Sequence, residues 1–192
     1  KLGFSNRTLG LRLPKVNRRA GWALRSQLQR IGILRPNGHE HFRGAATFPI
    51  HDQDNRIVQV YGRLTTRSPK PGAHAHLYLP GEKRGVFNLM ALATARDVIV
   101  TKSIVDALTL WCADIRNVTC AWGLDGFTDE HLVAFQEHAI ERVLIAFDRT
   151  EPGDKAAQEL SARLADKGMQ VFGIVLPQGL DVNDYAVSES GQ

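Results

Sequence analysis

An α/β chain is predicted, with a Rossmann-like, mainly parallel sheet flanked by helices in its second half and an α+β N-terminal subdomain ahead of it. Three observations carry the prediction. From about residue 90, strand-sized apolar runs alternate with stretches of helical period, the pattern of parallel strands joined by right-handed crossovers. The run from Val143 to Phe147 is apolar without a break, as in a strand buried on both faces, and turns polar at Asp148. The first half instead shows a basic helix, a hairpin and a long loop rich in Pro, Gly, Lys and His. Boundaries follow at 1–89, 90–187 and a tail at 188–192.

A chain of 192 residues, 43% hydrophobic and 23% charged, suits a soluble globular protein with one substantial core or two small ones. Its apolar runs are strand-sized, so neither a membrane span nor a signal peptide is expected, and the place of work is cytoplasmic. Cys112 and Cys120 lack the spacing of a zinc site and read as two buried thiols. The net charge of +4 hides a division: residues 1–90 carry 16 Lys and Arg against 4 Asp and Glu, and residues 91–192 carry 8 against 16. A basic half joined to an acidic half predicts a polyanion-binding surface beside a metal or acid/base centre.

In chain order, Trp22, Leu24, Leu28, Ile31 and Leu34 fall mainly at helical spacing and predict a helix over 20–30, ended by Gly32 and the 36–38 turn. Its Arg25 and Arg30 continue a basic series with Arg12, Lys15, Arg18 and Arg19, which points to phosphate contact. Residues 46–50 form a strand whose Pro49 predicts an edge or a bulge, and 56–63 form its hairpin partner, with Arg43 at entry and Arg63 at exit. The loop over 65–85 offers Tyr78, Lys83 and Arg84 to a nucleotide or a single strand. His51, His74 and His76 have no metal-ligand spacing.

Strands follow at 98–101, 118–122, 142–147 and 170–176. Helices follow at 104–112 with Ser103 as N-cap, 128–138 and 154–167. Parallel strands share one C-terminal rim. It receives Lys102 and Asp106 from the first strand, Asp148, Thr150 and Glu151 from the third, and Asp181 and Asp184 after the fourth. Acids gathered at one rim call for one or two divalent cations, or else serve as N-terminal acids of the following helices. Both readings stand at this point.

The segments 100–108 and 146–154 resemble the two motifs of the Toprim domain, which bacterial-type primases, topoisomerases and certain nucleases share. The segments 48–50, 61–63 and 83–89 are similar, in order and spacing, to the polymerase core of bacterial (DnaG-like) DNA primases. The resemblance covers roughly residues 40–187. It implies template-directed, magnesium- or manganese-dependent synthesis of RNA primers on single-stranded DNA from nucleoside triphosphates. It also implies a nucleoid-associated place, and a replicative helicase as partner through domains outside these residues. By position, Asp106 follows the family's catalytic Glu and Asp148 is the first Asp of its Asp-x-Asp pair. Asp181, with Asn183 or Asp184, falls at a further acidic cluster, and Glu151 is a substitute ligand. Arg43, Arg63, Lys83 and Arg84 fall where the family faces template and nucleotide.

The departures are specific. Lys102 stands at the catalytic Glu position, Thr150 at the second Asp, and Ala45 where an arginine usually precedes the Phe-Pro-Ile segment. An ammonium coordinates no metal. At about 4 Å and an effective dielectric near 20, it opposes a unit charge by about 4 kcal/mol and a divalent ion by twice that. The alternative to a primase is therefore a catalytically impaired Toprim protein that binds single-stranded nucleic acid. A Toprim nuclease or recombination factor fits less well with the basic first half. A zinc-binding module is not expected in these residues, which read as a core or a fragment.

Overall fold

The computed structural model describes residues 2–66 and 74–190; residues 67–73 of the expected loop and the end of the expected tail lie outside them. Two compact units are present, Lys1–Ile50 with Asn55–Arg84, and His51–Asp54 with Gly85–Gln192. The division falls after Arg84 rather than after residue 89, because Val86 is buried in the second unit's core and the Thr119 hydroxyl donates to the Phe87 carbonyl at 2.6 Å.

The first unit opens with β1 (Gly3–Phe4), α1 (Leu9–Arg12) and α2 (Arg19–Arg30). Gly21 lets the preceding segment lie against α2, since a Cβ there would stand 2.1 Å from the Lys15 carbonyl oxygen. Arg25 clasps the same segment, donating from Nη2 to the carbonyls of Gly10 at 3.0 Å and Pro14 at 3.4 Å. It is thus tied to backbone oxygens rather than held out for phosphate. The apolar face expected of α2 is only partly covered: Leu34 is buried and Leu24 and Leu28 half-buried, but Trp22 and Ile31 are exposed.

β2 (Ala45–His51), β3 (Ile57–Leu64) and β4 (His76–Tyr78) complete a sheet of order β1-β2-β3-β4. Pro49 was expected at an edge or a bulge, and although β2 lies inside the strand order, its pairing with β1 does not reach Pro49. Among the described residues β1 pairs only with Ala46 and Thr47, so Pro49 lies beyond the end of that ladder, where a proline is tolerated. β4, inside the expected loop, pairs antiparallel with β3 and brings His76 opposite Arg63.

The second unit begins with a 3-10 turn at Leu89–Thr94. It continues through β5 (Asp97–Thr101), α3 (Ile104–Cys112), β6 (Val118–Cys120), α4 (Asp129–Glu137), β7 (Arg142–Ala146), α5 (Glu151–Ala165), β8 (Gln170–Gly173) and α6 (Val182–Ser190). Every pairing in its sheet is parallel and the order is β6-β5-β7-β8. Val98, Val100, Val143 and Ile145 point to one face, where they meet Phe135 of α4 and Leu160 and Leu164 of α5 in one core. α3 packs against β6 and α6. No helix among the described residues is long and apolar enough to cross a membrane.

Four expectations need correction here. β6 stops at Cys120 and β8 at Gly173; each ladder closes with one last bond, from the Ala121 N–H to the Thr101 carbonyl and from the Ile174 N–H to the Ile145 carbonyl, both at 2.8 Å. α5 starts at Glu151, three residues early, since Thr150 caps it and Pro152 is acceptable in a first turn. Val182–Ser190 is a helix, where no element was expected after residue 176 and a tail was expected from 188. Cys112 is exposed at the end of α3, and only Cys120 is a buried thiol, its pKa pushed up by burial.

Candidate functional site

The strand order reverses between β5, from which the chain moves out to β6, and β7, to which it returns on the other side. The C-terminal ends of these two central strands flank the crevice in which open parallel sheets bind ligands. Lys102 follows β5, and Asp148 follows β7 with Phe147 between. Lys102 Nζ lies 3.1 Å from Asp148 Oδ1, and the two side chains are 27% and 15% exposed. The contact is an ion pair without hydrogen-bond aim, for Oδ1 accepts no hydrogen bond.

The other Asp148 oxygen is also engaged. Thr150 Oγ1 donates to Oδ2 at 3.1 Å and accepts the Gly153 N–H at 3.2 Å, which makes Thr150 the N-cap of α5. Gly153 is needed for this close turn, since a Cβ there would meet the Asp148 carbonyl oxygen at 2.1 Å. Glu151 is exposed in the first turn of α5.

Asp106 is 1% exposed in the first turn of α3. Ser103 Oγ donates to its Oδ2 at 2.6 Å and accepts its backbone N–H at 3.2 Å, while the Asn183 N–H donates to Oδ1 at 3.2 Å. The Asn183 side chain in turn donates to Thr109 Oγ1 at 2.9 Å. Asp106 therefore clasps α3 to α6. Burial pushes its carboxyl pKa up, and the Asp181 charge adds to this, while the Ser103 hydroxyl, the Asn183 N–H and the Lys102 charge oppose it. Asp181 Oδ1 accepts the Asp184 N–H at 2.8 Å and caps α6, and Asp184 is exposed in that helix's first turn.

Each rim acid thus has a place at a helix start. Magnesium or manganese takes several oxygen ligands in a compact shell. Here both Asp106 oxygens and Asp148 Oδ2 are held by protein donors, and Asp148 Oδ1 faces an ammonium. Among the described residues no three His, Cys, Asp or Glu side chains are grouped to share an ion. These residues do not fit a divalent cation.

The basic candidates all belong to the first unit. Arg18 and Arg19 are exposed at the start of α2, and Arg43 is exposed just before β2. Arg63 Nη1 donates to His76 Nε2 at 2.7 Å, so this arginine is already engaged within its sheet. Lys83 Nζ stands 5.7 Å from the centre of the Tyr78 ring, and Lys83 and Arg84 are exposed. Sequence reasoning missed Thr109, and placed Asn183 in an acidic cluster rather than as the clasp partner of Asp106. It read Ser103 only as a cap, although Ser103 with Asp106 three residues on has the spacing of a reciprocal capping pair.

Residues 99–186 match the family described as Toprim-like. The chain is 24% identical over 152 residues to the DNA primase of Staphylococcus aureus (strain COL), a match covering 77% of this chain and 25% of that protein. The DNA primase of Staphylococcus epidermidis is 24% identical over 151 residues, covering 76% and 25%. The chain thus spans about a quarter of the length of these curated relatives. Among solved structures, a DNA primase domain from Pseudomonas aeruginosa superposes with a TM-score of 0.74 at 24% identity, covering 98% of this chain and 61% of that one. The DnaG primase catalytic domain bound to ssDNA superposes with a TM-score of 0.75 at 21% identity, covering 98% and 63%. Residues 99–186 thus carry the likeness to the Toprim-like family, and the chain shares its fold with these DNA primase structures.

Proposed function

We propose that this chain is a single-stranded nucleic-acid-binding module built on the primase core, and that its Toprim corner works without a divalent cation. The observation that carries the reading is the Lys102–Asp148 ion pair at 3.1 Å. A resident ammonium sits on the one carboxylate of the corner that both strand order and motif position single out, and Thr150 turns the next ligand position into a helix cap. The nucleic-acid half rests on the first unit, which carries sixteen Lys and Arg against two Asp and Glu. A structural neighbour with the same fold is bound to single-stranded DNA. Arg18, Arg19, Arg43, Lys83 and Arg84 supply phosphate contacts in this reading, and Arg63 supports the sheet that presents them. The place of work is cytoplasmic, on the nucleoid.

Primer synthesis from nucleoside triphosphates, with a helicase as partner, is the reading this one displaces, because it needs metal at the corner. Substituting Lys102→Glu and Thr150→Asp together tests the choice. Manganese titration followed by electron paramagnetic resonance is expected to show no saturable site in the unaltered chain at millimolar metal and one in the double variant. Primer synthesis by the unaltered chain with magnesium would overturn the proposal.

A further inference from the structure

α2 presents an aromatic ring that the described residues leave largely uncovered. Trp22 is 65% exposed, although its place in the apolar series of the helix predicted burial. Around it the charge is one-sided. Residues 1–39 contain nine Lys and Arg and no Asp or Glu. The acid that follows, Glu40, is occupied by the Ser5 hydroxyl and the Leu9 N–H. Arg18, at the N-cap, and Arg19, at the first helical position, lie four and three residues before Trp22, which puts them on its face of the helix. Lys15 is tied in by backbone: the Arg18 N–H donates to its carbonyl at 3.1 Å, and the Trp22 N–H donates to the Arg18 carbonyl at 3.0 Å. The Gly21 contact and the Arg25 clasp hold this segment against the helix, so the arrangement is built rather than loose. Lys15, Arg18 and Arg19 are exposed, and their side chains make no ion pair among the described residues.

An exposed indole beside three uncompensated cations has the chemistry of a base-stacking platform on a phosphate-binding surface. The other two tryptophans are not placed for this. Trp122 is buried, and the Arg116 guanidinium covers the Trp111 ring at 3.7 Å. We infer that Trp22 stacks on a base of a single strand whose flanking phosphates are held by Lys15, Arg18 and Arg19. The inference rests on the nucleic-acid-binding reading above and adds a site to it. Charge complementarity selects a polyanion as the occupant, and the ring selects one with flat faces, which single-stranded nucleic acid supplies at every residue.

The test measures fluorescence anisotropy of a labelled oligothymidylate and of an abasic oligonucleotide of equal length, with polyglutamate as competitor. Trp22→Ala is expected to weaken oligothymidylate binding roughly tenfold and to leave abasic binding unchanged. Trp22→Phe restores most of the loss, and Arg18→Glu with Arg19→Glu weakens both ligands. Because Trp22 is exposed, the variant keeps its fold, which circular dichroism checks. If Trp22→Ala binds oligothymidylate as well as the unaltered chain, the stacking site is wrong while the module reading stands. If the unaltered chain binds neither oligonucleotide at low salt, the module reading itself fails. Polyglutamate competing as well as oligothymidylate, and losing as much on Trp22→Ala, would point to an acidic protein partner and overturn the inference.

Discussion

His131 and Asp106 are both buried and titratable, and burial, which disfavours the charged form of each, gives them opposite pH signatures. His131 Nδ1 accepts the Thr128 N–H at 3.2 Å, so Nε2 carries the proton and donates to the Cys120 carbonyl at 3.0 Å. Burial lowers its pKa to about 4 from the model-compound 6.5. The unfolded chain therefore binds a proton first as pH falls. Stability is full above about 6.5 and is lost down to about 4, by on the order of 3 kcal/mol. Urea titrations at stepped pH, with NMR of the ring, check this, and a ring titrating near its ordinary value would refute it. Asp106 runs the other way. Its raised pKa gives stability that is present below its unfolded value and lost as pH rises through the folded one. Asp106→Asn keeps an acceptor for the Asn183 N–H and sheds the buried charge, so stability at neutral pH should hold or rise. Asp106→Ala should cost about 1–3 kcal/mol by freeing the donors of Ser103 and Asn183. A metal ligand would show no such pattern, and denaturation midpoints of the two variants decide.

At the scale of elements, the start of α5 is where corner and helix are made together. The strand β7 was legible as an unbroken apolar run, and its end at a polar Asp148 was legible too. The helix start was not, because Gly153 reads as a break. The close approach of the first turn to the Asp148 carbonyl makes that glycine a requirement instead, with a Cβ contact of 2.1 Å barred. Gly153→Ala should destabilise the second unit by about 1–3 kcal/mol, as overpacking does, and pull Thr150 off Asp148. Thermal melting with amide exchange of the 150–154 turn tests this, and an unperturbed turn would show the contact to be soft. α6 escaped sequence reading for a different reason. Its residues have weak apolar period, and the helix is held through Asp106 and the Asp181 cap rather than by a stripe of its own.

For the whole molecule, the division of charge is sharper in three dimensions than along the chain. Asp52 and Asp54 belong to the second unit, leaving the first with sixteen basic residues against two acidic and the second with eight against eighteen. Binding to single strands should therefore weaken steeply between about 50 and 200 mM salt, with a log–log slope of several units, through counterion release. Chelation of divalent ions should leave it unchanged. A flat salt response, or binding that disappears with chelator, would contradict the metal-free, phosphate-led reading.

The amino-acid sequence by itself determined the parallel sheet, the basic and acidic halves, and the identity of the residues at the rim. Period, apolar run length and charge are local properties that survive without coordinates. Only the tertiary structure decided what those residues do. Whether Asp106 faces a cavity or a helix start depends on Asn183, 77 residues away along the chain. Whether Lys102 is a surface charge or a resident cation depends on its distance from Asp148 across the strand-order reversal. Whether Trp22 is core or surface depends on which neighbours the fold brings over it, since helical spacing names a face without saying what covers it.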